Sequence, residues 1–199
     1  MTNRATTESI NSDRVFLRPA LSKDISNLEA LINRCYLFEE GWTNEAALVG
    51  GIRTNQNEIQ AVIEDDKQHL FVYPQTNQND KEETGELLGC INVAMHDDGA
   101  YIGFFAVSPD LQGSGVGSVM LEKAEILAQG YLTKQQALEK SVDIKPIKML
   151  VLYGRDKMLA YYQRRGYVCT GNTQSFSNHD QDDELHFTEI AKAINENNA

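Results

Sequence analysis

The chain has 199 residues, 41% of them hydrophobic and 24% charged, which suits one globular domain with a sizeable core. Its 29 acidic residues against 18 basic ones leave a formal net charge of −11, a balance that repels nucleic acid and favours a cationic partner such as an amine. No apolar run of about eighteen residues is present to span a membrane. The polar start Met1–Ser9 lacks the apolar block of a signal peptide, so the expected setting is the cytoplasm. The cysteines Cys35, Cys90 and Cys169 are far apart and odd in number, which argues against a disulfide framework and against a zinc site.

Residues 1–13 read as a disordered lead-in. Val15–Ala20 is a short first strand, stopped by Pro19. Ser22, or Lys23-Asp24 beside it, caps a helix that carries Ile25, Leu28, Leu31, Ile32 and Cys35 at three-and-four spacing. Tyr36–Glu45 then reads as a loop holding the only tryptophan, Trp42, and the adjacent carboxylates Glu39 and Glu40; on the residues alone, Trp42 caps the core and the two carboxylates are solvated. From Asn55, the set Ile59, Val62 and Ile63 predicts a second short helix ending in Glu64-Asp65-Asp66. The strands His69–Tyr73 and Leu87–Ala94 follow, joined by the polar stretch Pro74–Gly85, which reads as a long mobile hairpin loop.

His96–Gly99 turns the chain into the stretch on which everything else bears. Tyr101–Val107 is an apolar strand rich in aromatic and β-branched residues, and Pro109 and Asp110 end it. Gly113, Gly115 and Gly117 follow at every second position, and behind them Val116, Val119, Met120, Ala124 and Leu127 stand at helical spacing to about Gln129, with Gly130 as the expected cap. A glycine turn opening a helix presents backbone N–H groups and the positive end of the helix dipole to an anion, which suits phosphate. The nucleoside-triphosphate loop is excluded because Gly117-Ser118-Val119 has no lysine. The dinucleotide fingerprint is excluded because Ser118 stands where Gly or Ala is needed. A plain strand-to-helix turn with no ligand stays open on these residues alone.

Gln112-Gly113-Ser114-Gly115-Val116-Gly117 resembles the acetyl-CoA signature Gln/Arg-x-x-Gly-x-Gly/Ala of the GNAT superfamily of N-acetyltransferases. The resemblance implies acetyl-CoA as cosubstrate, its pyrophosphate held by the amides from Gln112 through Gly113, Ser114, Gly115, Val116 and Gly117 to Ser118. It implies further that Phe105, Ala106 and Val107 of the preceding strand pair with the pantetheine arm. Past the helix, Tyr131–Lys145 is expected to be a linker with some helical character of its own, and residues 130–146 an insertion. Ile147–Tyr153 is a buried strand parallel to the one ending at Val107, completing a βαβ unit.

A second element, Lys157–Tyr167, resembles the family's Ala-x-x-x-Tyr-x-x-x-Gly-Phe/Tyr: a helix, a glycine cap and a strand. By that resemblance Tyr162 protonates the departing CoA thiolate, although both tyrosines of the helix also fit ordinary core packing. The family's Asn and Ala early in this helix are replaced by Gly154-Arg155-Asp156-Lys157, so Arg155 meets a ligand anion or simply serves the surface. Leu185, Phe187 and Ile190 form a last strand. The implied fold is α/β (α+β), a single domain over residues 14–190 with a flexible tail at 191–199. Its central sheet is mixed and mostly antiparallel, flanked by helices, with the parallel pair splayed at the CoA site.

Acetyl transfer needs a neutral amine, a polarised thioester carbonyl and a proton for the thiolate. The resemblance assigns the carbonyl to a backbone amide near Phe105–Val107 and the proton to Tyr162. No carboxylate stands on the strand before the motif, so Glu39, Glu40, Tyr101 and His96 remain as base candidates, and desolvation of an amine of pKa about 10 is an alternative without a dedicated base. In the family the region between the first two helices lines the acceptor pocket, so the resemblance implies Glu39, Trp42, Tyr101 and Arg155 as acceptor-binding residues, with core packing of Trp42 equally open. The histidines His69, His96, His179 and His186 are scattered, and no metal is expected. The expected partners are acetyl-CoA and an amine of a small molecule, amino acid or protein, with no nucleic acid or membrane. A homodimer is expected by analogy alone. The competing reading is a non-catalytic GNAT-fold module that senses acyl-CoA.

Overall fold

A computed structural model describes residues 15–37, 53–77, 82–140, 145–175 and 186–194. In chain order it contains β1 (Arg18–Pro19), α1 (Ile25–Leu37), α2 (Gln56–Glu64), β2 (Gln68–Thr76), β3 (Glu83–His96) and β4 (Gly99–Val107). These are followed by α3 (Val116–Glu139), β5 (Ile147–Leu152), α4 (Asp156–Gln163), β6 (Val168–Ser175) and β7 (His186–Lys192). The strands form one mixed, mostly antiparallel sheet in the order β1-β2-β3-β4-β5-β7-β6, in which β4 and β5 run parallel. By contacts the chain divides into two units, residues 1–91 with 104–123, and residues 92–103 with 124–199.

In the first unit, the three-and-four spacing of α1 puts Leu28, Leu31, Ile32 and Cys35 on one face. That face buries against Ile59 of α2, Leu70 and Val72 of β2, and Leu87 and Cys90 of β3. Each such aliphatic side chain contributes about 1.5–3 kcal/mol by leaving water. The helix start is fixed by Asp24, whose Oδ2 accepts the Leu21 N–H at 2.8 Å while its two oxygens take Arg18 at 2.7 and 2.9 Å. Asn55 caps α2 by accepting the Glu58 N–H at 3.1 Å.

β1 ends at Pro19 as expected, but it spans only Arg18–Pro19 and does not begin at Val15. A proline in the ladder is tolerated because β1 is at the sheet edge, paired with β2 through Arg18↔Val72 and Pro19↔Phe71. The expected long hairpin loop is also shorter than its composition suggested. β2 continues through Pro74 to Thr76, β3 begins at Glu83, and the Asn77 N–H donates to Glu82 O at 2.9 Å.

In the second unit, the parallel ladder consists of Ala100↔Ile147 and Tyr101↔Lys148. β5 pairs antiparallel with β7 from Ile147↔Lys192 to Leu152↔Phe187, and β7 pairs with the exposed edge strand β6 across an irregularity between Cys169 and Thr173. Gly99 makes the ladder possible: a Cβ there would lie 2.4 Å from Pro146 O, the acceptor of the Ala100 N–H.

The predicted end of α3 is corrected. The helix runs through Gly130 to Glu139 because its buried stripe Ala124, Ala128, Leu132 continues at four-residue spacing past the glycine. An exposed mid-helix glycine costs only about 1 kcal/mol, too little to stop a helix whose next turn is packed. Residues 131–139 thus continue α3 itself, where a separate linker with some helical character was expected. By contrast Gly166 caps α4 as expected, with φ +90°, its N–H on Gln163 O at 3.0 Å and the Tyr167 N–H on Tyr162 O at 3.2 Å.

Candidate functional site

The glycine turn grows out of the end of β4. The Ser108 N–H donates to Leu88 O at 2.8 Å, and a short 3₁₀ turn at Pro109–Leu111 reverses the chain, closed by the Leu111 N–H on Ser108 O at 2.8 Å. From there internal bonds alternate with vacant donors. The Ser114 N–H reaches Leu111 O at 3.2 Å, the Val116 N–H reaches Ser114 Oγ at 3.5 Å, and the Ser118 N–H reaches Gly115 O at 3.0 Å. Among the described residues, the intervening amides of Gly113, Gly115 and Gly117 meet no acceptor.

Gly113 and Gly115 have φ of +78° and +96°, the left-handed region that glycine enters without strain. Gly117 is already helical, and a Cβ there would make ordinary contacts with Val107 and Phe105. Three amides with no acceptor among the described residues, at the start of α3 with the helix dipole behind them, are a donor set of the kind that suits phosphate oxygens. The Gln112 side chain serves the turn from within, its Nε2 donating to Val107 O at 3.2 Å.

The second half of β4 carries a feature with no sequence signature. Phe104 has φ +41°, an uncommon conformation for a bulky residue. The carbonyls around it are held by side chains. Cys90 Sγ donates to Phe104 O at 3.1 Å, Tyr36 Oη to Phe105 O at 3.3 Å, and Cys35 Sγ to Val107 O at 3.3 Å. The Arg53 guanidinium lies 5.1 Å from the Tyr36 ring centre and 5.9 Å from that of Phe104.

Tyr162 is in the other unit. Helix α4 buries it to 6% exposure, edge-on to Tyr161 at 5.3 Å and to Tyr167 at 5.8 Å between ring centres. Burial, with the Glu125 carboxylate nearby, drives the Tyr167 hydroxyl far above the ordinary phenol range. Glu125 itself takes Lys192 at 2.7 Å. Arg155 stands at the N-terminal boundary of α4, half-buried, its carbonyl accepting the Leu159 N–H at 2.9 Å.

Tyr101 is part of a closed polar network. Its hydroxyl donates to Glu189 Oε2 at 2.7 Å. Lys148 Nζ lies 2.6 Å from Asp98, 3.4 Å from Tyr101 Oη and 3.5 Å from Glu189. Thr170 Oγ1 and Asn172 Nδ2 fill Glu189 Oε1 at 2.9 and 3.0 Å. Burial and the bond to Glu189 push the Tyr101 hydroxyl up to about 12, so at neutral pH it is a donor to the carboxylate. Burial pulls Glu189 upward, but bonds from Tyr101, Asn172 and Thr170 and the charge of Lys148 outweigh it and hold the carboxyl below its usual range.

His96 rests edge-on against Tyr101 at 4.8 Å. Glu39, Glu40 and Trp42 lie outside the described residues. Among the described residues, no group of three His, Cys, Asp or Glu side chains is placed to hold a metal ion.

Residues 25–167 match the acetyltransferase (GNAT) family. The chain belongs to that family. This GNAT protein is an acyltransferase enzyme, and its mixed sheet with a parallel β4–β5 pair and flanking helices is the family fold. Among solved structures it is similar to the ribosomal-protein-S18-alanine N-acetyltransferase from Escherichia coli, with 13% identity and a TM-score of 0.62 over 92% of this chain and 97% of that one. It is similar also to an acetyltransferase of the GNAT family from Streptococcus pneumoniae, with 19% identity and a TM-score of 0.58 over 91% and 99%. A third is the spermidine/spermine N-acetyltransferase from Vibrio cholerae, with 16% identity and a TM-score of 0.55 over 92% and 95%. At these identities the likeness concerns the fold alone. No curated protein matches the chain's sequence.

Proposed function

We propose that this GNAT acetyltransferase transfers the acetyl group of acetyl-CoA directly to a primary amine of a small molecule, an amino acid or a protein, with Tyr162 as general acid. The observation that carries the acetyl-CoA half is the alternation of bonded and vacant amides at Gly113, Gly115 and Gly117. A pyrophosphate needs several converging donors and room for close approach, and this turn supplies both.

In the proposed reaction the amine nitrogen attacks the thioester carbon, and a backbone amide near Phe105–Val107 takes the negative charge that develops on its oxygen. The carbon–sulfur bond then breaks, the thiolate receives the Tyr162 hydroxyl proton, and the proton that the attacking nitrogen must shed passes to solvent, from which the Tyr162 phenolate is reprotonated. Two structural relatives are named for acceptors that are amines, an alanine of a ribosomal protein and spermidine or spermine, which supports an amine here. The net charge of −11 favours a cationic acceptor in the same direction.

The test is acetyl-CoA turnover over a panel of amines, polyamines and peptide N-termini, paired with Tyr162→Phe. Loss of the phenolic proton should lower kcat by about 10²–10⁴-fold while the dissociation constant for CoA stays within about threefold. Equal losses in both would make Tyr162 a packing residue. Tight acetyl-CoA binding with no turnover over the whole panel would favour an acyl-CoA-sensing module.

A further inference from the structure

Residues three apart on a helix share a face, so Asn33 and Tyr36 of α1 stand together. Asn33 Oδ1 accepts the Arg53 N–H at 2.9 Å and the Thr54 N–H at 3.1 Å, and its Nδ2 donates to Thr54 O at 2.9 Å. Three bonds from one side chain thus fix the backbone at Arg53 against α1. The Arg53 guanidinium lies over the Tyr36 ring, 5.1 Å from its centre, and 5.9 Å from the centre of the Phe104 ring. Tyr36 in turn donates to Phe105 O at 3.3 Å. All of these residues belong to the first unit, which also carries the glycine turn.

Among the described residues, Arg53 pairs with no carboxylate. The other arginines described in this unit do: Arg18 takes Asp24 at 2.7 Å, and Arg34 takes Asp110 at 3.0 Å. The carboxylates of the helices on either side are occupied elsewhere. Glu58 of α2 accepts the Thr54 hydroxyl at 3.0 Å, and Glu29 of α1 takes Gln56 Nε2 at 2.8 Å. A guanidinium resting on aromatic rings keeps the N–H donors along its edge, and that planar fork matches a carboxylate. In a chain with 29 acidic residues against 18 basic ones, such an arginine beside the second half of β4 points to an anion brought by a ligand. The phosphates of acetyl-CoA have the glycine turn, so the anion left for Arg53 is the acceptor's.

We propose that Arg53 is a specificity-determining residue: its guanidinium, held over the Tyr36 and Phe104 rings, binds a carboxylate of the acceptor, which is therefore a carboxylate-bearing amine and not a polyamine. The inference rests on the proposed function for the amine and for the place of the acetyl group. The net charge of −11 acts on the encounter from a distance, whereas Arg53 acts at contact. A zwitterion satisfies both, its amine the first and its carboxylate the second. A free amino acid and a peptide opening with aspartate or glutamate supply the same chemistry, a carboxylate a few bonds from a primary amine.

The test is acetyl-CoA turnover by the full chain on matched pairs of amines, with spermidine alongside. One arm sets free amino acids against their carboxamides. The other sets tripeptide amides opening with aspartate or glutamate against those opening with asparagine or glutamine. In the wild-type chain the carboxylate member should be favoured by about tenfold or more in kcat/KM in at least one arm, and that arm names the source. Arg53→Ala should bring the preference to within about threefold, chiefly through the acceptor KM. The KM for acetyl-CoA and turnover of the neutral members should change by less than about threefold. Comparing each pair between wild type and variant cancels the intrinsic reactivity of the amines. Arg53→Lys, which keeps the charge and loses the fork, should retain an intermediate preference. Equal kcat/KM within every wild-type pair, or spermidine outrunning every carboxylate-bearing amine, overturns the inference and leaves the proposed function standing. So does an Arg53→Ala loss shared equally by both members of each pair, which would make the role structural. A loss confined to the KM for acetyl-CoA overturns it too, since Arg53 would then serve the CoA phosphates. No turnover with any amine overturns the proposed function, and the inference with it.

Discussion

Strand β4 joins two polar regions built on opposite principles. At its start, Tyr101 enters a network in which Glu189 takes Tyr101, Thr170 and Asn172 at 2.7, 2.9 and 3.0 Å, with Lys148 close by. Past its end, the glycine turn leaves the amides of Gly113, Gly115 and Gly117 without an acceptor among the described residues. A buried carboxylate is tolerable only when fully paired, so the first region stabilises the fold and has little left for a ligand. The second keeps its donors at the surface, where water serves until an anion displaces it.

The strongest way to break this contrast is to empty the paired region. Glu189→Ala removes the shared acceptor of Tyr101, Lys148, Thr170 and Asn172, and should cost about 3 kcal/mol in urea unfolding, with Glu189→Gln costing less because an acceptor oxygen stays. If the loss were within about 0.5 kcal/mol, the network would be no stabilising element. Next comes the turn itself. Gly115→Ala forces a side chain into φ +96°, which should cost about 1–2 kcal/mol and lower acetyl-CoA affinity about tenfold or more by calorimetry.

A smaller, pH-dependent effect belongs to Asp24. Burial raises this carboxyl, but the bonds from Arg18 and the Leu21 N–H prevail and hold it below its ordinary value. Its contribution is therefore fully present above the unfolded carboxylate range of about 4 and is lost as pH falls through the lower folded value. Asp24→Asn should flatten the acid limb of a melting-temperature profile in that window and leave its slope at pH 6–8, about neutral, unchanged. Gly117→Ala sharpens the contrast from the other side. With a helical backbone and only ordinary contacts to meet, it should leave acetyl-CoA binding intact and raise stability by about 0.5 kcal/mol, whereas Gly115→Ala should not.

The turn was legible in the sequence because glycine spacing and helical periodicity are both written locally, in Gly113–Gly117 and in Val116, Val119 and Met120. The cap at Gly166 was legible for the same reason. The helix through Gly130 was misjudged because a local breaker was weighed above a buried stripe that resumes at Leu132. Phe104 gave no signal, since nothing in a phenylalanine marks positive φ. Glu189 could not be linked to Tyr101 because the two are 88 residues apart and meet only through strand order. The resemblance added Tyr162, a role that its burial among aromatic rings does not announce.

The three thiols form a built-in timer. Cys169 is exposed on β6, whereas Cys35 and Cys90 are buried against β4. An electrophilic dye should therefore label one sulfur per chain at once, and the other two only as fast as the segments covering them open. The slow phase would clock that opening without any engineered probe. Any colour assay that counts free CoA by its sulfhydryl would also begin from a fixed offset of one equivalent of enzyme.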